Sequence, residues 1–311
     1  MPNFRILSLD GGGIRGVLTA VLLDRLSAEY PRLLQDLPST IFAGTSTGGI
    51  LALGLADGLP PSQLRDFYVL NGKTIFDSSW ARDVVDVAGL VGAKYDNENL
   101  KRILQEIFGG KKLQDLKSRV LVPSFRLDDQ EAGPAKRTWE PKFFHNFPGN
   151  DSDGGSLVVD VAMSTSAAPT YFPSYGEYID GGVIANNPSM AAIAQVLDGR
   201  NQPPYLGTLK DIKLLSVGTG LSLQYIAQQN VDWGDAQWIK PLLNILMEGS
   251  AGVADFQCIQ LLGERYYRLA PVFPAGRSFP LDDVGKIVDL IDFARAVDLT
   301  GTLAWLKTCA W

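Results

Sequence analysis

The sequence predicts an α/β fold built on a mainly parallel sheet, and three observations carry that expectation. FRILSL at residues 4–9 is a short apolar run that ends in the glycine loop DGGGIRG at 10–16, and a helical pattern follows directly. A second apolar run stops at FAGTSTGG, residues 42–49, a Gly-x-Ser-x-Gly bend with small and apolar residues behind it at 50–56. Strand, loop, helix and strand in that order make a βαβ unit, which joins parallel strands through a crossover helix.

Taken in order, the first helix carries Val17, Leu18, Val21, Leu22 and Leu26 on one stripe and Asp24, Arg25 and Glu29 on the other. Residues 40–43 read as the second strand. Residues 57–76 read as a loop and a helix with Pro60 and Pro61 near its start. Residues 79–93 combine apolar side chains with few charges, and read either as a lipid-facing flap over the site or as a core-packing helix. NENLKRILQEIFGG is a helix capped by Asp96 or Asn97, striped by Leu100, Ile103, Leu104 and Ile107, and stopped by glycine. RVLVPSF at 119–125 is a further strand. The chain at 128–155 is polar and broken by Pro and Gly, apart from an aromatic knot of Trp139, Phe143, Phe144 and Phe147 that contains the only histidine, His145.

SLVVDVAM leads into STSAAPTYFP, a helix broken before Pro169. In YGEYIDGGVIANNP, Asp180 ends a short strand and Pro188 falls in the first turn of the next helix. IKLLSVGTG at 212–220 is the last buried strand of the series. Helical patterns near 235–262 and 283–296 and a short RYYRLAP strand complete the chain. With no linker or internal repeat, residues 1–311 read as one domain, its motifs within about 4–220 and 221–311 a packed extension.

Composition narrows the function. At 46% hydrophobic and 20% charged residues the chain has the balance of a folded protein, and its formal net charge of -6 excludes nucleic acid as a default partner. Two cysteines, Cys258 and Cys309, are too few for a disulfide framework and lack metal-ligand spacing, so no metal is expected. The N-terminal residues show no secretory signal and no apolar run is long enough to cross a bilayer. A cytoplasmic location is expected, with export by a signal-less route left open.

Two glycine-rich motifs carry the chemistry. Gly44 and Gly48 on either side of Ser46 allow the sharp bend that lifts a serine hydroxyl above a sheet, and the following helix turns its positive end toward it. Ser46 is the candidate nucleophile; a helix N-cap is the other use of a serine there. Gly11, Gly13 and Gly16 also fit the dinucleotide fingerprint, yet the second strand ends without the carboxylate that would hold a ribose. Alternatively, the N–H groups of Gly11, Gly12 and Gly13 converge on a developing oxyanion, or the glycines only make a tight turn. Asp180, at the same sheet edge, is either a turn residue or a carboxylate delivered to Ser46.

DGGGIRG, GTSTGG and DGG in that order, with AAPTYFP before IDGGVIANNP, closely resemble the patatin-like phospholipases. The resemblance covers roughly residues 4–220. It implies a three-layer α/β/α sandwich and a lipid acyl hydrolase of the phospholipase A or lysophospholipase type. Ser46 would be the nucleophile, Asp180 its dyad partner, Gly11, Gly12 and Gly13 the oxyanion loop and Arg15 the loop cation, with no cofactor. Phospholipid or another acyl lipid is the implied substrate, met at a transient membrane contact; a regulatory partner or activator is left unspecified. Rival readings are acyl transfer on the same site, a general esterase using Ser46 with His145, and a non-catalytic nucleotide-binding module.

Overall fold

The computed structural model describes residues 4–35, 37–77, 92–131, 133, 136–203, 205, 207–227 and 231–311. Among them, seven strands form one sheet: β1 (Phe4–Leu9), β2 (Thr40–Gly44), β3 (Arg119–Arg126), β4 (Glu140–His145), β5 (Tyr178–Asp180), β6 (Ile212–Val217) and β7 (Tyr266–Leu269). The spatial order is β4-β3-β2-β1-β6-β7. Strands β1, β2, β3, β6 and β7 run parallel, and β4 and β5 pair antiparallel with β3.

Alternate residues of these strands feed two separate cores, as a parallel sheet covered on both faces requires. Leu7, Leu9, Phe42, Val120, Val122, Leu215 and Val217 point to one side. There they meet α1 (Gly16–Glu29) and α2 (Thr47–Asp57), with α3 (Pro61–Ile75), α4 (Glu98–Phe108) and α5 (Val158–Ser166) alongside. Ile6, Ile41, Ala43, Leu121, Ile212 and Leu214 point to the other side. Two further helices cover that face: α7 (Ser189–Val196), which follows the single turn α6 (Gly182–Ala185), and the long α8 (Asp235–Leu262). Last come α9 (Ile287–Ala296), packed on α1, and α10 (Thr300–Thr308). The expected α/β/α layering with a mainly parallel sheet is what the chain adopts.

One departure from strand parallelism positions the site. The first half of β3 pairs with β2, Ile41 opposite Arg119 and Ala43 opposite Leu121. Its second half pairs with β5, Ser124 opposite Asp180. Since β4 runs along the other edge of β3, β5 takes up the edge where β2 leaves it. The short strand therefore runs head-on toward the end of β2, and Asp180 finishes beside the Ser46 turn.

Elsewhere the elements differ in detail. The stretch read as polar loop contains β4, which opens on Glu140, Pro141 and Lys142; an edge position tolerates a proline that cannot donate to a ladder. The cap of α4 is Asp96, whose carboxylate accepts the N–H of Glu98 at 2.9 Å and of Asn99 at 3.4 Å. Helices α6 and α10 were not expected: one is too short for a periodic signal, and the other mixes Gly and Thr into its apolar stripe. Residues 78–91, nearly all of the proposed flap, lie outside the described residues.

Candidate active site

Ser46 stands between β2 and α2 with φ 55° and ψ −123°, a conformation that costs a non-glycine residue about 1–3 kcal/mol and persists only when its surroundings hold it. Glycine on either side is a steric requirement here. A Cβ at Gly44 would sit 2.0 Å from the Gly48 carbonyl oxygen, and one at Gly48 would sit 2.2 Å from that of Leu9. The Ser46 N–H donates to Thr165 Oγ1 at 2.9 Å, and that hydroxyl donates onward to the Pro123 carbonyl at 2.6 Å. Ser46 does occupy the N-cap position of α2, yet its hydroxyl makes no capping bond. The side chain is left for another partner.

The group beside it is Asp180, a buried carboxyl whose ionised form the Ser46 hydroxyl stabilises. Its Oδ1 also accepts the Gly182 N–H at 2.6 Å, and its own N–H is tied to Ala167 O at 2.9 Å. Burial pushes the carboxyl pKa up to about 6, against the Ser46 hydroxyl and the Gly182 N–H, which favour the ionised form.

The glycine loop lies against the same serine. A Cβ added to Gly11 would come within 3.4 Å of the Ser46 Cβ and 2.3 Å of Asn186 Oδ1. Its three glycines have different surroundings. Gly11 donates its N–H to Asn186 O at 3.0 Å and accepts from Thr219 Oγ1 at 3.0 Å, so its backbone is committed to the scaffold. The N–H groups of Gly12 and Gly13 find no acceptor among the described residues. Gly13, with φ 58°, lines the cleft in front of Ser46.

The segment after Asp180 binds these parts together. Ala185 O accepts the Thr45 hydroxyl at 2.6 Å, beside the serine, while Asn186 O holds Gly11. Asn187 Oδ1 accepts the N–H of Ser189 at 3.1 Å and its hydroxyl at 2.5 Å. The motifs that lie far apart in sequence thus meet through backbone atoms of IANNP.

Arg15 shares a cavity neighbouring the Ser46 cleft with Tyr171 and Leu281, which line both. It is half-buried, its Nε has no partner among the described residues, and burial lowers its pKa against the attraction of Glu248 and Asp10. It lines a polar cavity shared with the buried Asp10–Arg268 ion pair, and is absent from the cleft that holds Ser46.

His145 is not brought to Ser46. It ends β4 opposite Leu121, with β3 between it and β2, and its Nε2 lies 3.8 Å from Asp151 Oδ2. Its ring packs edge-on to Phe147, and burial lowers its pKa against the pull of Asp153 and Asp151.

The Ser46–Asp180 pair closes one end of a cleft with about 630 Å³ of free space, solvent at its mouth included. Its walls are almost wholly apolar, among them Ile50, Phe67, Phe76, Leu100, Phe172 and Met247. Such a lining suits a hydrocarbon chain leading to a polar centre. Among the described residues no three His, Cys, Asp or Glu side chains are grouped to hold a metal, and no helix is long and apolar enough to cross a membrane.

Thr45, Thr165, Asn186 and Thr219 were not singled out from the sequence. Each acts by one hydrogen bond across more than a hundred residues, for which a single sequence carries no spacing signal.

With this geometry in hand, the kinship of the chain is clear. Residues 7–193 match the family model described as patatin-like phospholipase. Protein teg of Priestia megaterium is 29% identical over 99% of this chain and 99% of its own length. A cGAMP-activated phospholipase of Pseudomonas aeruginosa is 31% identical over 86% of this chain and 78% of that protein. Patatin-like protein 2 of Arabidopsis thaliana is 31% identical over 81% of this chain and 70% of its own. A single family model spans more than half of the residues, and the relatives align along most of the length: the chain belongs to the patatin-like phospholipase family.

Proposed function

We propose that this protein is a lipid acyl hydrolase that cleaves fatty-acyl esters of phospholipids or lysophospholipids through a Ser46–Asp180 dyad. The observation that carries the reading is the pairing itself: a serine on a strained turn and a buried carboxyl raised to about 6, lining the same end of an apolar cleft. A serine hydroxyl needs a base to remove its proton, and an ordinary carboxylate is too weak for the task. A pKa near 6 brings Asp180 closer to the working range of a general base while leaving it mostly ionised at neutral pH.

The acyl chain lies along the cleft and brings the ester carbonyl to Ser46. The Ser46 oxygen attacks the carbonyl carbon as its proton passes to Asp180. Negative charge on the carbonyl oxygen is met by the uncommitted N–H groups of Gly12 and Gly13, each donor contributing about 3 kcal/mol by analogy with other oxyanion sites. Gly11, its N–H bound to Asn186, holds the loop in place. Arg15, next to the loop in sequence, lines the adjoining cavities, and its charge adds to the positive potential there. Asp180 returns the proton to the departing alcohol, leaving an acyl ester on Ser46. Water, deprotonated by Asp180, then attacks the acyl ester, and Asp180 passes the proton to the Ser46 oxygen as it leaves, releasing the fatty acid and restoring the serine.

The test is a fluorophosphonate probe followed by peptide mapping, with a panel of phospholipids and lysophospholipids assayed for released fatty acid. The panel is run with and without cGAMP, since the Pseudomonas relative is cGAMP-activated. An adduct at Ser46 with fatty-acid release supports the reading, and an active sample labelled elsewhere overturns it.

A further inference from the structure

We propose that the outer face of α8 is a membrane-docking surface that seats the mouth of the Ser46 cleft on an electrically neutral lipid surface. The inference rests on the acyl-hydrolase reading for the reason such a surface is needed, and on α8 for where it is.

Helix α8 is apolar on two faces, whereas a helix that covers a sheet needs one. The inner face, with Met247, Ala254, Cys258 and Leu262, is buried. Leu242, Ile245, Leu246, Val253 and Phe256 recur at helical spacing on the outer face and are exposed, Phe256 by 64%. The stripe runs about 21 Å from Leu242 to Phe256 at 1.5 Å per residue. Trp238 continues it one turn earlier, its ring packed on Trp233, and indole rings favour the boundary between water and lipid.

The stripe is joined to the cleft. Leu243 and Met247 of the same helix line the space in front of Ser46 and Asp180. The helix is fixed there, since Asn186 N donates to Ser250 Oγ at 3.3 Å. The chain after β6, whose Ser222 and Gln224 share a cavity with Asn244 and Glu248 of the helix, also carries the exposed Leu223 and Tyr225, the latter by 88%. A lipid surface covering this stripe would present acyl chains at the cleft mouth without their passing through water.

Charge selects the kind of surface. Along α8 the charges are Asp235, Lys240, Glu248 and Asp255, a net of -2, and the whole chain carries a net charge of -6. Attachment therefore comes from apolar insertion and not from attraction to anionic headgroups.

The experiment is flotation of the Ser46→Ala protein, which cannot consume the lipid, with phosphatidylcholine vesicles. It is repeated after adding Leu242→Ser, Leu246→Ser and Phe256→Ser together, and separately with Phe256→Lys alone in case the triple change disturbs folding. Flotation by the parent, about tenfold weaker in the triple variant and no stronger with added anionic lipid or low salt, is the expected result. The same surface changes in the Ser46 protein should lower turnover on vesicles but leave turnover of a short soluble ester unchanged. Equal flotation of parent and variants overturns the proposal. So does a parent that does not float, or one that sedimentation shows to be a dimer parted by these substitutions, which would make the face a self-association surface. A protein that floats but releases no fatty acid keeps the docking face and loses the hydrolase reading; one that hydrolyses micellar lipid without floating does the reverse.

Discussion

Asp10 and Asp180 form an instructive pair. Both are buried carboxyl groups at strand ends, one just after β1 and the other closing β5. Asp10 faces Arg268, whose guanidinium forks onto both carboxylate oxygens and also reaches Ser216 Oγ at 2.7 Å. Burial alone would lower the Arg268 pKa; the charge and hydrogen bonds of Asp10 raise it instead. Asp180 has no cation, only the Ser46 hydroxyl and one N–H. Burial raises the carboxyl pKa at both sites, but at Asp10 the charge and hydrogen bonds of Arg268 oppose it, whereas at Asp180 only a hydroxyl and an N–H do. What separates them is whether a counter-charge is supplied, and that tells structural from chemical carboxylates better than depth does.

Replacing each by asparagine should split the two roles, with the largest effect of any change considered. Asp180→Asn keeps the shape but removes the proton acceptor, so turnover should fall about 10³–10⁴-fold. Stability should be kept or improved. Between pH ~4 and ~6 the folded chain holds a proton on Asp180 that the unfolded chain has released, so stability falls as pH rises through that window; the penalty is full above about 6. Removing the charge relieves up to about 3 kcal/mol at pH 8. Asp10→Asn should instead leave Arg268 buried with half its partner gone, at a cost of about 3 kcal/mol, while the folded fraction keeps turning over. Turnover and urea melts of both variants check the split; if Asp10→Asn is the inactive one with an intact fold, the assignment is reversed.

Next in size is Gly12→Ala. The added Cβ would lie 2.2 Å from Thr219 Oγ1 and 2.6 Å from its Cβ, so the loop or the buried threonine must move. Stability should drop by about 1–3 kcal/mol. Turnover of the folded fraction should drop about 10²–10³-fold, as the N–H leaves the oxyanion position. Full specific activity in that fraction would make the loop a scaffold only. A smaller effect follows from the Asp180 pKa near 6: kcat/KM should fall roughly tenfold for each pH unit below about 6, where the base is protonated. Asp10 lies outside the cleft, so a profile measured on Asp10→Asn should keep this limb.

Most of the scaffold was legible because its signals are local. The glycine bend at Ser46, the apolar strands β1, β2, β3 and β6 and the α4 stripe are each written within a dozen residues, and α8 is found over the span read for it. The site was legible as three motifs, but not how they meet. That depends on β5 completing the β3 edge beyond β2, and on Thr45, Asn186 and Thr165 bonding across the chain. Strand β4 was lost because its opening residues are charged or proline, and an edge strand needs no apolar alternation on its open side. Arg268, which pairs with Asp10, lies in the RYYRLAP strand that carried no chemical signal of its own.

The smallest expected effect is also a test of which base acts, since this chain has one histidine. His145 is buried beside Phe147, with Asp151 near its Nε2 and its Nδ1 lacking a partner among the described residues. Burial depresses its pKa, so at neutral pH it is an uncharged packing residue behind β3 from Ser46. His145→Ala should therefore leave a small void and cost about 1–2 kcal/mol, with turnover of the folded fraction within about threefold of the parent. A histidine base would invert the pattern: the His145 variant dead, Asp180→Asn impaired but alive. Measuring turnover of both beside a melting curve for each separates the cases, because lost packing scales activity with the folded fraction, and a lost base removes it from molecules that are still folded.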